Sequence, residues 1–291
     1  MYKRMLVPLD GSELAEVVFT YAKELAARIG LEVFLFHVFN PEEVALAPLH
    51  RTYVEHKAEI IRRESQEFQE KKGIAPGSKP VEVRGAAVTG YPAEEILRYS
   101  DENDIDFILM ANLGRSGIRR WAIGSVAEKV LHTSNIPVLL VRAGIPEDVV
   151  YDKWPKRTIL VPLDGSELAE AVLPHVEALA KQGGTELADV VLLRVCRHNE
   201  MDNAEFVALT EEYLAKVEKQ LKNASLDVKS LVIKGEAAEQ IVEYANSNPV
   251  NLIVMSTHAR SGLDLLALGS VAAKVLQKAS SPIFLVRPHQ A

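Results

Sequence analysis

A chain of 291 residues that is 48% hydrophobic can bury substantial cores, and its length suggests about two domains. With 33 Lys and Arg against 40 Asp and Glu the net charge is −7, which argues against a general nucleic-acid or membrane-surface binder. The single Cys196 excludes an intramolecular disulfide framework and the Cys-rich zinc patterns; with no signal-like start and no apolar run of membrane-spanning length, the expectation is a soluble cytoplasmic protein.

In chain order, Met5–Leu9 reads as a short buried strand, with Pro8 tolerable only near its end. Asp10, Gly11 and Ser12 form a turn, and Ser12 is a natural N-cap for a helix over 13–27, apolar at positions 14, 17, 18, 21, 22 and 25. Gly30 ends that helix and Leu31–Phe39 is the second strand. A charged helix is expected from roughly Tyr53 to Lys72, then an edge-like strand over Val81–Arg84. Pro92 opens a further helix at a favoured first-turn position. Asp106–Ala111 and Pro137–Arg142 are the fourth and fifth strands. Strands that alternate with helices and are mostly apolar throughout predict a parallel sheet covered on both faces, with ligands at the carboxyl ends of the strands where the winding reverses.

The chain is written twice. Leu6-Val-Pro-Leu-Asp-Gly-Ser-Glu-Leu-Ala-Glu16 recurs letter for letter as Leu160 to Glu170, at an offset of 154 residues. Gly124-Ser-Val-Ala-Glu-Lys-Val-Leu131 recurs as Gly269-Ser-Val-Ala-Ala-Lys-Val-Leu276 at an offset of 145, so the length difference falls in the middle of each half. Domains are expected over 1–142 and 157–291, joined by a linker over 143–156 that carries Pro146 and Pro155.

Between the fourth strand and the helix that follows runs a glycine-punctuated basic loop, Gly114-Arg-Ser-Gly117-Ile-Arg-Arg-Trp-Ala-Ile-Gly124-Ser125. Exposed amides at a helix start and glycines that permit close approach suit an anion site, though such loops also serve as plain turns; Arg115, Arg119 and Arg120 either clamp phosphate oxygens or form a solvated basic face, and their place between two glycines and a helix start favours phosphate. Asp10 and Asp164 stand just past the first strand of each half; each is either an acceptor for a nucleoside or a turn residue bonding its own backbone. A catalytic serine is disfavoured, because no His or second acid recurs in both halves to complete a triad. His37 aligns with Arg194 and His132 with Gln277, so neither is a duplicated ligand, and no metal-site spacing occurs. No Walker loop or dinucleotide Gly-x-Gly-x-x-Gly is present, which weighs against an enzyme.

Val7-Pro-Leu-Asp-Gly-Ser12, Gly90-Tyr-Pro-Ala-Glu-Glu-Ile96 and the Gly114 to Leu131 stretch together resemble the universal stress protein family, and the resemblance covers both halves. It implies an α/β fold, with an open five-stranded parallel sheet in strand order 3-2-1-4-5 in each half, helices on both faces, and the two domains pairing through their last strands; a homodimer is left open. It also implies binding of ATP or another adenine nucleotide, with or without Mg, and a role as stress-response sensor or regulator. The alternatives are a nucleotide-free scaffold acting through protein contacts and, as a minor one, a slow ATPase. The family's Gly-x-x-Gly-x9-Gly-Ser/Thr pattern places Ala111 at the first glycine, Gly114 at the second, then Gly124 and Ser125. The first site would comprise Pro8, Asp10, Val38, Ala111, Gly114, Arg115, Ser116, Gly117, Gly124, Ser125 and Val126. Its counterpart comprises Pro162, Asp164, Val195, Ser256, Ala259, Arg260, Gly269, Ser270 and Val271. Because Arg119 and Arg120 become Asp264 and Leu265 there, the second site is expected to be weaker or vacant.

Overall fold

The structure, a computed structural model, describes residues 1–72, 81–114, 123–143, 157–182, 188–257 and 268–288. The chain divides into two compact units, Met1–Glu147 and Asp148–Ala291. The expected linker over 143–156 lies, apart from Ala143, outside the described residues.

In the first unit the order is β1 (Arg4–Leu9), α1 (Glu13–Glu16), α2 (Val18–Ile29), β2 (Glu32–Phe39), a 3-10 helix (Pro41–Leu46), α3 (Ala47–Lys72), β3 (Val83–Thr89), α4 (Pro92–Glu102), β4 (Phe107–Ala111), α5 (Ser125–Thr133) and β5 (Val138–Val141). The strands are parallel in the order β3-β2-β1-β4-β5. Every residue of β4 and β5 is buried, as a strand covered on both faces must be. Phe36 and Phe107 are fully buried, each contributing about 1.5–3 kcal/mol by leaving water.

The second unit repeats this with β6 (Arg157–Pro162), α6 (Glu167–Glu170), α7 (Leu173–Gln182), β7 (Ala188–Cys196), α8 (His198–Met201), α9 (Ala204–Asn223), β8 (Asp227–Lys234), α10 (Ala237–Ser247), β9 (Val250–Ser256), α11 (Ser270–Lys278) and β10 (Ile283–Val286). Its parallel order, β8-β7-β6-β9-β10, is again 3-2-1-4-5 when counted from its own first strand. The expected α/β architecture is therefore present in both halves.

Three elements differ from their expected bounds. The helix after Ser12 divides at Val17, which keeps helical backbone angles (φ −53°, ψ −25°). The long helix begins at Ala47, since Pro48 sits in its first turn, where a missing N–H costs nothing, and a capped 3-10 turn leads into it from Asn40. The third strand is Val83–Thr89 rather than 81–84. The strand continues through Gly85, Ala86 and Ala87, small residues that let α3 lie close: a Cβ on Gly85 would stand 2.8 Å from the backbone carbonyl carbon and oxygen of Val54.

Candidate functional site

The turn after β1 is built by its own side chains. Asp10 Oδ1 accepts hydrogen bonds from the Ser12 amide at 2.9 Å and the Ser12 hydroxyl at 2.6 Å, and Ser12 Oγ in turn accepts from the Ala15 amide. Gly11 supplies the positive φ, 79°, that the turn requires. The copy is faithful: Asp164 Oδ1 accepts from Ser166 at 3.0 and 2.6 Å, and Gly165 has φ 82°. Asp10 is thus the turn residue that one reading expected, and its other oxygen, Oδ2, lies against Gly114 at the cleft that both residues line.

That cleft, of about 210 Å³, opens where β1 and β4 part, the switch point of the sheet. It brings together Pro8, Asp10, Val38, Ala111, Gly114, Gly124, Ser125 and Val126, eight of the residues expected there from sequence. Arg115, Ser116 and Gly117, with Arg119 and Arg120, lie outside the described residues. The apolar wall was not foreseen: Phe36, Pro92, Ile96 and Met110 complete it. Two signals could have found it, since Phe36 stands two residues before Val38 on one face of β2, and Pro92 and Ile96 share a face of α4 one turn apart.

Opposite Asp10, α5 begins at Gly124, whose extended backbone (φ −67°, ψ 149°) offers no side chain to cap the helix. The amides of Ser125, Val126 and Ala127 therefore start α5 at the cleft wall with the positive end of its dipole. Gly124 is held in place by its N–H, which donates to Asn112 O at 2.7 Å. A Cβ here would make only ordinary contact, 3.5 Å from Asn112 O.

The second unit holds a smaller cleft, about 140 Å³, lined by Pro162, Asp164, Val195, Ser256, Gly269, Ser270 and Val271. Ala259 and Arg260, and Asp264 and Leu265, fall outside the described residues. Leu193 replaces Phe36 and Ala237 replaces Pro92 in its wall, so the cleft keeps the plan with different side chains.

Each unit also carries a polar cluster between its first helix and its long helix that sequence reasoning missed. In the first unit Tyr53 donates to Glu16 Oε1 at 2.9 Å and Lys57 pairs with Glu16 Oε2 at 2.6 Å. In the second, Tyr213 stands by Glu170, and burial, reinforced by the charges of Glu170 and Asp164 against the opposing Arg194, raises its pKa. Where the first unit has Lys57, four residues after its tyrosine, the second has buried Val217; where the first has His37, it has buried Arg194, which reaches toward Leu163 O at 3.5 Å. The cation has moved from helix to strand. No group of three or more His, Cys, Asp or Glu side chains suited to a metal occurs among the described residues, and none of the described helices is long and apolar enough to cross a membrane.

Known proteins show the same organisation. A universal stress protein of Bacillus subtilis is 32% identical over 148 residues, covering 49% of this chain and 100% of its own. A Mycobacterium tuberculosis universal stress protein is 22% identical over 294 residues, covering 97% of this chain and 96% of its own. Among solved structures, a universal stress protein from Archaeoglobus fulgidus has the same fold, with a TM-score of 0.70 at 22% identity over 98% of each chain. The model of the universal stress protein family matches residues 1–142 and again 156–287, and the chain, with two copies of that domain, belongs to the universal stress protein family.

Proposed function

We propose that the first unit binds ATP or another adenine nucleotide and that the protein acts as a nucleotide-responsive sensor or regulator. One observation carries this reading: a carboxylate, an apolar wall and an uncapped helix start converge on one cleft. The nucleoside would lie against Phe36, Val38 and Ile96 with its hydroxyls at Asp10, and the phosphates at Gly114, Gly124 and Ser125, where backbone N–H groups and the helix dipole favour negative charge. The donor set fits such a group, since the first amides of α5 lie at the cleft wall with no side-chain cap and would be free to donate to anionic oxygen, while the wall offers apolar surface to a base.

Preference for the first unit follows from its larger cleft, about 210 against 140 Å³, and from the basic residues of its loop sequence. Titration calorimetry of the full chain with ATP, ADP and AMP, with and without Mg, tests the reading. Heat that saturates at one nucleotide per chain supports it, and the absence of heat with all three at high protein concentration rejects it.

A further inference from the structure

The loop glycines Gly114 and Gly124 differ in what surrounds them. Gly114 is not among the described glycines with positive φ, so its backbone does not call for glycine. What calls for it is a neighbour 104 residues earlier in the chain. A Cβ built on Gly114 would overlap Asp10 Oδ2 and stand 3.2 Å from Asp10 Cγ, whereas one on Gly124 meets nothing closer than 3.5 Å. Asp10 cannot easily swing aside, because its Oδ1 is held by both the amide and the hydroxyl of Ser12. Both residues line the same cleft.

We propose that Gly114 is a positioning residue for Asp10: its missing side chain is the space in which the Asp10 carboxylate sits, oriented to receive the sugar hydroxyls of the nucleotide. The inference rests on the nucleotide reading above and assigns Gly114 to the nucleoside end of the ligand, leaving the phosphate end to Gly124 and the start of α5. The turn that holds the carboxylate is the same in both units, yet the second repeat carries Ala259 where the first has Gly114.

The experiment is a set of titrations on the full chain with ATP and with 2′,3′-dideoxy-ATP, which lacks the hydroxyls, for wild type, Gly114→Ala, Asp10→Ala and the double variant. Positioning predicts that Gly114→Ala weakens ATP roughly ten- to a hundredfold, the range set by a hydrogen bond to a charged group, and leaves the dideoxy analogue nearly unchanged. It also predicts that in the Asp10→Ala background the alanine adds no further loss. An equal loss for both ligands, or a loss that grows from AMP to ATP, overturns it in favour of a phosphate role. Thermal melts of the four proteins give a readout without ligand: a methyl that collides with the carboxylate lowers the midpoint when Asp10 is present and lowers it no further in the Asp10→Ala background, where the turn bonds from Ser12 are already lost. Additive midpoints overturn the steric argument even if nucleotide binds. Absence of ATP binding by wild type, by contrast, rejects the nucleotide reading itself.

Discussion

The imidazoles of His37 and His50 stack with centroids 4.9 Å apart and are joined, Nε2 to Nδ1, at 3.0 Å. His37 Nδ1 lies 2.8 Å from Leu9 O, so it must carry the proton there, which makes Nε2 the acceptor and His50 Nδ1 the donor. The pair thus pins the carbonyl that immediately precedes Asp10. His37→Phe keeps a ring against Phe39 and removes both hydrogen bonds, the one to Leu9 O and the one from His50 Nδ1. The expected loss is about 2 kcal/mol of stability, read by urea denaturation, with secondary structure retained. A variant as stable as wild type would show that the relay is incidental.

Close packing of α3 on β3 makes Gly85 intolerant. Gly85→Ala forces a methyl into the Val54 carbonyl at 2.8 Å and the Glu55 amide at 3.1 Å, both backbone, so neither can rotate away. A loss of about 1–3 kcal/mol is expected. Gly30, the αL cap of α2 at φ 68°, has open space around it, and Gly30→Ala should cost only the conformational strain, about 1 kcal/mol. Chemical denaturation of the two variants should rank Gly85→Ala as the more destabilised.

At the start of α5 the prediction is the reverse of that for Gly85. Gly124→Ala meets ordinary contacts only, so stability should change by less than about 1 kcal/mol, the difference between glycine and alanine at an N-cap. ATP affinity should nevertheless fall about tenfold or more, because the methyl stands at the cleft where the helix amides begin. Calorimetry and a melting curve on the same sample separate the two effects.

Alkaline pH should unfold the protein earlier than its charge alone suggests. Burial first, then the nearby charge of Asp106, raises the Tyr2 pKa; burial, then Glu24, raises that of Tyr21. A phenol whose folded pKa exceeds its unfolded one gives its full stability below the unfolded value, near pH 10, and loses it as pH rises toward the folded value. Each tyrosine then costs about 1.4 kcal/mol per pH unit above that point. Following phenolate absorbance and tryptophan fluorescence together should show these tyrosines ionising only as the fold is lost, and Tyr2→Phe with Tyr21→Phe should flatten the alkaline limb.

What could be read from the sequence was local or duplicated. Ser12 as a cap, Gly30 as a stop and Pro92 as a helix start each act within a few residues, and the structure has them so. Eight residues of the first cleft were named from motifs that occur in order, because Asp10, Val38, Gly114, Gly124, Ser125 and Val126 stand at or near the ends of elements whose types are legible. What escaped is non-local. The His37–His50 relay joins a strand to the first turn of a helix past an intervening 3-10 helix, at a sequence separation of 13, and the overlap at Gly114 involves Asp10, 104 residues earlier in the chain. The third strand was misplaced because its glycine and alanines answer to the backbone of α3, a neighbour that no window of sequence contains.

The bonds from Gly124 N to Asn112 O, 2.7 Å, and from Gly269 N to Thr257 O, 2.8 Å, close both loops at the same rung of the sheet. Between those rungs lie segments of equal length, 113–123 and 258–268, whose sequences have drifted while the frames around them have not. Each loop is in this sense a cassette with standard ends. Substitution inside the loop leaves these closing bonds between backbone atoms untouched, so the two repeats of one polypeptide can diverge there independently while the frame stays common.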